Sequence, residues 1–137
     1  NRCIGTRYCA NACSYNVRFF NFFNPQWEKP LQLQLNPDVS VREVGVMEKC
    51  TFCVQRIKSG KSAAKADGRE LKDGDIQPAC VQSCPAGAII FGDLNDHESR
   101  AARLTHSPRG TKLLEDEGTE PKVTYLQRQS WNEPDTQ

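Results

Sequence analysis

Seven cysteines stand in three groups along a 137-residue chain. Cys3, Cys9 and Cys13 lie in CIGTRYCANAC, Cys50 and Cys53 in CTFC, and Cys80 and Cys84 in CVQSCP. Thiolates are soft ligands, and intervals of two and three residues let short loops curl round an iron–sulfur cluster. A cysteine at position 6 would complete C-x2-C-x2-C-x3-C, the bacterial ferredoxin run, but the chain has Thr6 there. The second set, Cys50, Cys53, Cys80 and Cys84, supplies four thiolates and ends on Pro85, as that run does. The expected chemistry is therefore electron transfer. Cys3, Cys9, Cys13, Cys50, Cys53, Cys80 and Cys84 are all candidate metal ligands, and the gap at Thr6 marks one unusual cluster.

In such a run the backbone amides turn toward the sulfurs, and N–H···S bonds help hold a net-negative cluster and set its potential. The cysteine that follows a three-residue interval reaches a neighbouring cluster, so clusters come in pairs with exchanged ligands. Zinc is the first alternative, since CxxC pairs also make zinc sites. Two four-ligand zinc sites would leave seven cysteines one short, and His97 and His106 lie far from any CxxC pair. Disulfides are disfavoured by the odd count. A catalytic open-iron site would need substrate-binding basic residues near Thr6, where Arg7 is the one obvious candidate. No phosphate-binding loop and no nucleophile–base pair is present in the sequence, so no catalytic residue is expected.

The elements that must position these cysteines are short. SYNVRFFNFF, after Cys13, is aromatic and β-prone and predicts a strand at about 16–23, with its four phenylalanines packed as core over a cluster. NPQWEKP is a turn-rich loop, and the stretch leading into Cys50 is extended. Between Cys53 and Cys80 lie 26 residues, where a small ferredoxin has two. Within this insert, residues 54–68 predict a helix whose Arg56, Lys58, Lys61 and Lys65 form either a solvated face or a docking surface. A charged turn, GRELKDGD, follows. GAIIFGD predicts a strand, NDHESRAARL a helix capped by Asn95 or Asp96, PRGTKLLEDEG a helix ending at Gly118, and KVTYL a terminal strand. RQSWNEPDTQ is a polar tail, and His97 and His106 are expected on the surface.

Length sets one domain, divided into a ferredoxin-type region at 1–94, carrying the 54–79 insert, and an extension at 95–137. A net charge of +1 gives no electrostatic footprint for nucleic acid. Mean hydropathy is −0.66 and 37% of residues are apolar, which implies a thin core cross-linked by its clusters. The longest apolar run, AGAIIFG, is too short to span a bilayer. Only two residues precede Cys3, where a lead-in strand would stand, so the chain is expected to be the C-terminal part of a longer polypeptide.

The segments CIGTRYCANACSYNVRFFNF, GVMEKCTFCVQRI and CVQSCPAGAIIFGDLND resemble the four-cluster iron–sulfur subunits that partner molybdopterin-type oxidoreductases, such as those of nitrate, polysulfide and DMSO reductases. Thr6 within CIGTRYC, NPDV before GVMEKC, and the stretch from Gly118 to Leu126 look most like the iron–sulfur subunit of bacterial alternative complex III. The resemblance implies an α+β, ferredoxin-like fold with long loops, forming the C-terminal half of a four-cluster module. It implies that Cys3 and Cys9, with one further cysteine, hold a 3Fe-4S cluster. Cys50, Cys53 and Cys80, with one further cysteine, would hold a 4Fe-4S cluster. Cys13 and Cys84 would each reach a cluster shared with the upstream half. A self-contained alternative assigns Cys3, Cys9 and Cys84 to three irons and Cys13, Cys50, Cys53 and Cys80 to four. The implied function is electron transfer in a membrane-bound quinol-oxidising respiratory or photosynthetic complex, from quinol to a cytochrome c or similar carrier. The implied partners are a membrane quinol-binding subunit, a molybdopterin-type subunit or domain, and multihaem cytochrome c subunits. The implied location is peripheral, on the periplasmic face of a bacterial inner membrane. An electron-transfer subunit of a molybdenum reductase and a zinc-stabilised interaction module are the alternatives.

Overall fold

A computed structural model describes residues 2–128. The chain divides within one helix into two compact units, 1–59 and 60–137. Its elements are helix α1 (Tyr8–Asn11), strands β1 (Phe19–Phe20) and β2 (Met47–Glu48), and helices α2 (Val54–Ala66), α3 (Ala79–Gln82) and α4 (Arg100–Thr105). Strands β3 (Gly110–Thr111) and β4 (Tyr125–Leu126) follow, and single 3-10 turns occupy Leu31–Gln34 and Glu115–Glu117. This is a small mixed α/β arrangement in which loops carry most of the chain.

In the first unit β1 and β2 pair antiparallel, with Phe19 opposite Glu48 and Phe20 opposite Met47. The predicted strand at 16–23 shrinks to these two residues. Beyond the ladder the backbone bonds continue, the Asn21 amide donating to Val46 O at 2.9 Å and the Gly45 amide to Asn21 O at 2.8 Å, and polar side chains reinforce them. Asn21 Nδ2 donates to Glu48 Oε2 at 2.8 Å, the Val44 amide donates to Asn24 Oδ1 at 2.6 Å, and Arg42 pairs with Glu48 at 2.9 Å. The phenylalanines do not form the expected core. Phe20 is half-buried, while Phe19, Phe22 and Phe23 are exposed, Phe23 by 81%. Two ladder residues provide one side chain per face, too little sheet to cover four rings.

The second unit has a core of small side chains. Ala64 and Ala102 are buried there, joined by Pro78 and by the fully buried Ser99. Helix α2 lies where the sequence places it. It ends in a Schellman arrangement: the Gly68 amide donates to Lys65 O and the Arg69 amide to Ala64 O, with Gly68 at φ +63°. Lys58, Lys61 and Lys65 are exposed and Arg56 is half-buried. The charged turn closes on Asp75, whose carboxylate accepts from Arg69 and from the Lys72 amide. The Arg69 guanidinium and that amide hold the Asp75 carboxyl below its usual range.

Helix α4 starts later than Asn95 or Asp96. Asp93 and Asp96 spend their carboxylates on turns, accepting from the Asn95 and Glu98 amides at 2.9 and 3.0 Å. Ser99 caps the helix instead: its Oγ accepts from the Ala102 amide at 3.1 Å and donates to Asp93 O at 2.7 Å. Asp73 adds a long-range cap, accepting from the Arg100 amide at 3.0 Å.

Two further expectations fail. Residues 87–93 after Cys84 are not a strand: the ladder among the unit's described residues joins β3 and β4. The segment 108–118 is not a helix: Gly110 and Thr111 pair with Leu126 and Tyr125, and Leu114 is left-handed at φ +53°, leaving one turn that ends at Gly118. The strand in KVTYL is present as β4, and His97 and His106 are exposed. The polar tail from residue 129 lies outside the described residues. Among the described residues no helix is long and apolar enough to cross a membrane.

Candidate metal centre

Cys3, Cys9, Cys13, Cys50 and Cys53 lie in the first unit, and Cys80 and Cys84 in the second. All seven are free thiols; Cys3, Cys50 and Cys80 are exposed and the others half-buried. Among the described residues, no three His, Cys, Asp or Glu side chains gather closely enough to hold a single metal ion. A cubane spreads its ligands over separate irons, one thiolate to each, so its cysteines need not meet at a point.

The loop from Cys3 to Cys9 is laid against the segment before β2. Gly5 has φ +76°, and a Cβ there would stand 2.5 Å from Gly45 O, so only glycine permits the approach. The contact brings the Met47 amide within 3.4 Å of Cys3 Sγ. This amide and that of Gly5 lower the pKa of the Cys3 thiol and favour the thiolate. Thr6 is exposed in the middle of the loop. Arg7, left-handed at φ +62°, sets its guanidinium 5.3 Å from the Phe20 ring and 5.1 Å from the Phe22 ring. Those rings meet edge-on at 4.8 Å. Phe20 and Phe22 therefore serve as a seat for Arg7, worth about 0.5–1 kcal/mol for an exposed cation–π contact.

Cys50 accepts from the Phe52 amide at 3.4 Å. Phe52 and Cys53 are both left-handed at φ +53°, a conformation that costs non-glycine residues roughly 1–2 kcal/mol each. Cys53 O then accepts from the Arg56 and Ile57 amides at 2.8 and 3.1 Å to start α2. Strain of this kind concentrates at functional turns.

Cys9 to Cys13 and Cys80 to Cys84 are built alike. Each pair begins on the second residue of a four-residue helix, α1 or α3. The helices end on Ala12 and Ser83 with matching dihedrals, φ −84° and −86° and ψ −1° in both. Three residues past each final cysteine, Asn16 and Gly87 are left-handed at φ +51° and +60°, and each donates its amide to that cysteine's carbonyl at 3.1 Å. The turns wrap amides round the sulfurs. Val17 foremost, then Tyr15 and Asn16, lower the Cys13 thiol, with a hydrogen bond from the Arg18 side chain, while burial opposes them. Ala88 foremost, then Ile89, Ala86 and Gly87, lower the Cys84 thiol against the same opposition. These amide nests suit a net-negative cluster ligated through sulfur.

Sequence reasoning found every thiol but not their supports. The Met47 amide and the Arg7 seat come from segments distant in sequence. The repeated turn did leave a signal: Asn and Gly, the residues that best tolerate a left-handed backbone, stand at the same offset from Cys13 and Cys84.

Cysteines on tight turns ringed by backbone amides, in a small loop-rich α/β frame, define a cysteine-ligated iron–sulfur domain. The chain belongs to the 4Fe-4S dicluster domain family, which it matches over residues 2–88. It is 49% identical over 133 residues to the menaquinone reductase iron–sulfur cluster-binding subunit of Nitratidesulfovibrio vulgaris, covering 95% of this chain and 52% of that protein. It is 39% identical over 128 residues to the Hdr-like menaquinol oxidoreductase iron–sulfur subunit 1 of Archaeoglobus fulgidus, covering 91% and 43%. It is 37% identical over 126 residues to the iron–sulfur subunit of a putative dimethyl sulfoxide reductase of Halobacterium salinarum, covering 92% and 41%. The chain thus spans about half the length of these curated relatives.

Proposed function

We propose that the chain is part of an electron-transfer subunit that passes single electrons between iron–sulfur clusters in a membrane-bound complex coupled to the quinone pool. Quinol is the donor in this reading, and a cytochrome c or similar carrier the acceptor. The carrying observation is the pair of equivalent amide-ringed cysteine turns at Cys13 and Cys84. The names of two relatives, a menaquinone reductase subunit and a menaquinol oxidoreductase subunit, support the coupling to quinone. A bound cluster supplies a one-electron carrier. The thiolates of Cys3 and Cys9 ligate a three-iron cluster in this proposal, with Thr6 withholding the fourth ligand. Cys50, Cys53 and Cys80 ligate a four-iron cluster, and Cys13 and Cys84 reach clusters completed by an upstream half. The backbone amides orient the sulfurs and stabilise added negative charge. Residues 1–94 form the cluster-binding region, and 95–137 extend it toward partner subunits. The partners are a membrane quinol-binding subunit, a molybdopterin-type subunit and multihaem cytochromes, on the periplasmic face. The likeness to the iron–sulfur subunit of a putative dimethyl sulfoxide reductase favours a second reading, in which electrons run from the pool to a molybdenum reductase.

The test is anaerobic addition of menaquinol to the isolated complex, followed by low-temperature EPR and metal analysis. Iron and sulfide in place of zinc, with cluster signals that appear on reduction by menaquinol, are expected. Zinc without iron would overturn the cluster assignment. Clusters that menaquinol leaves oxidised, but that reduce menaquinone once reduced themselves, would reverse the direction of flow.

A further inference from the structure

The loop from Cys3 to Cys9 is fastened to the β1–β2 pair at two points, and these stand on either side of Thr6. On the Cys3 side, Gly5 lies against Gly45 O, and the Met47 amide comes within 3.4 Å of Cys3 Sγ. On the Cys9 side, the Arg7 guanidinium rests 5.3 Å from the Phe20 ring and 5.1 Å from the Phe22 ring. The Arg7 carbonyl accepts from the Ala10 amide at 2.9 Å where α1, which carries Cys9, begins. A single residue thus ties the start of α1 to the strand pair. Phe20 stands opposite Met47 in the ladder, and the Gly45 amide donates to Asn21 O at 2.8 Å, so both fastenings share one hydrogen-bonded frame. Arg7 keeps this place in a left-handed backbone, φ +62°, which is unfavourable for a residue with a side chain. Among the described residues no carboxylate pairs with it. Thr6, between the two fastenings, is exposed and offers no thiolate.

We propose that Arg7, seated on Phe20 and Phe22, is a positioning residue that stands in for the missing fourth ligand: it fixes the limb between Thr6 and Cys9 where a thiolate at position 6 would otherwise fix it. This rests on the reading that Cys3 and Cys9 ligate a three-iron cluster. In a complete C-x2-C-x2-C run the middle cysteine ties the loop to the cluster halfway along. With Thr6 there, nothing on this limb reaches the cluster before Cys9 itself. A guanidinium over two aromatic faces is attracted by the quadrupole of each ring and needs no iron to hold it. Its charge is permanent, because an arginine does not deprotonate in proteins, so the latch is closed at every working pH. The latch and a thiolate at position 6 are therefore alternatives, and supplying one should make the other dispensable.

The experiment follows the three-iron EPR signal of the oxidised full-length polypeptide, in its isolated complex, during incubation with an iron chelator. Arg7→Gln keeps a polar side chain but removes the cation, and it should speed loss of the signal about fivefold, the worth of an exposed cation–π contact. Arg7→Lys should stay close to the wild type, because an ammonium is also drawn to a ring face. Phe22→Leu leaves the cysteine loop untouched and should give the same acceleration, and combining it with Arg7→Gln should add little. In a Thr6→Cys background the reduced-state signal of the resulting four-iron cluster should decay at one rate with or without Arg7→Gln. An Arg7→Gln protein that loses its signal at the wild-type rate would overturn the proposal. So would an acceleration that persists undiminished after Thr6→Cys, since that marks general loosening of the unit. If Arg7→Gln fails to assemble, Phe22→Leu with and without Thr6→Cys decides the same question. A wild-type complex with no three-iron signal would overturn the ligand reading beneath the proposal, whereas a wild-type signal indifferent to Arg7 overturns the proposal alone.

Discussion

Replacing Gly5 with alanine tests whether the Cys3 loop is held by a backbone approach that no side chain can share. Two costs follow from the structure. Residue 5 has φ +76°, and an L side chain in that region costs roughly 1–2 kcal/mol. The new methyl would also sit 2.5 Å from Gly45 O, a backbone atom that cannot swing aside. Relieving such an overlap in a packed region costs roughly 1–3 kcal/mol. The sum, roughly 2–5 kcal/mol, exceeds what one exposed cation–π contact at Arg7 can hold in place. The loop should lift from Gly45, and the Met47 amide, now 3.4 Å from Cys3 Sγ, should lose its acceptor. The expected result is loss of iron from the cluster that Cys3 serves, read as iron per polypeptide and as that cluster's EPR signal, with the others retained. Gly68→Ala is the control: φ is +63° there but nothing lies within 4 Å of the added methyl, so only the conformational cost applies. It should lower the unfolding midpoint and leave iron content unchanged. A Gly5→Ala protein with full iron and an unshifted Cys3 cluster would refute the argument.

Thr6→Cys should convert the proposed three-iron cluster into a four-iron one, because CIGTRYC already has ferredoxin spacing; loss of the three-iron EPR signal from the oxidised protein checks this, and a signal that persists at full strength contradicts it. Ser99→Ala should destabilise the second unit by about 1–3 kcal/mol, since it strips both the α4 cap and the partner of Asp93 O from a fully buried site; urea unfolding measures the loss, and Ser99→Thr should recover part of it. The Arg69–Asp75 pair adds a pH dependence whose sign is set by the depressed Asp75 carboxyl. Its stabilisation should be complete above the ordinary carboxylate pKa of about 4 and vanish as pH falls through the lower folded value, so wild type and Asp75→Asn should converge in stability toward acid.

The ligand chemistry was legible in the chain because a cluster demands one residue type at fixed local intervals. Cys-x2-Cys and Cys-x3-Cys are constraints within a single turn, and no tertiary contact is needed to state them. Helix α2 was legible for the same reason: its boundary rests on Gly68, whose left-handed cap is a local property. Local signals misled where several residues competed for one role. Asn95 and Asp96 were the expected caps of α4, but both are engaged in turns, Asn95 with Asp93 and Asp96 with the Glu98 amide, and Ser99 caps the helix instead. The strand after Cys84 and the helix at 108–118 depended on which segment pairs with which, a nonlocal choice that propensity does not encode. Tertiary structure alone brings Met47 to Cys3, Gly45 to Gly5, and the rings of Phe20 and Phe22 beneath Arg7. Thiolates are named by the sequence because ligation is a property of the residue. The amides and charges that tune them come from backbone atoms every residue carries, so only folding decides which ones arrive.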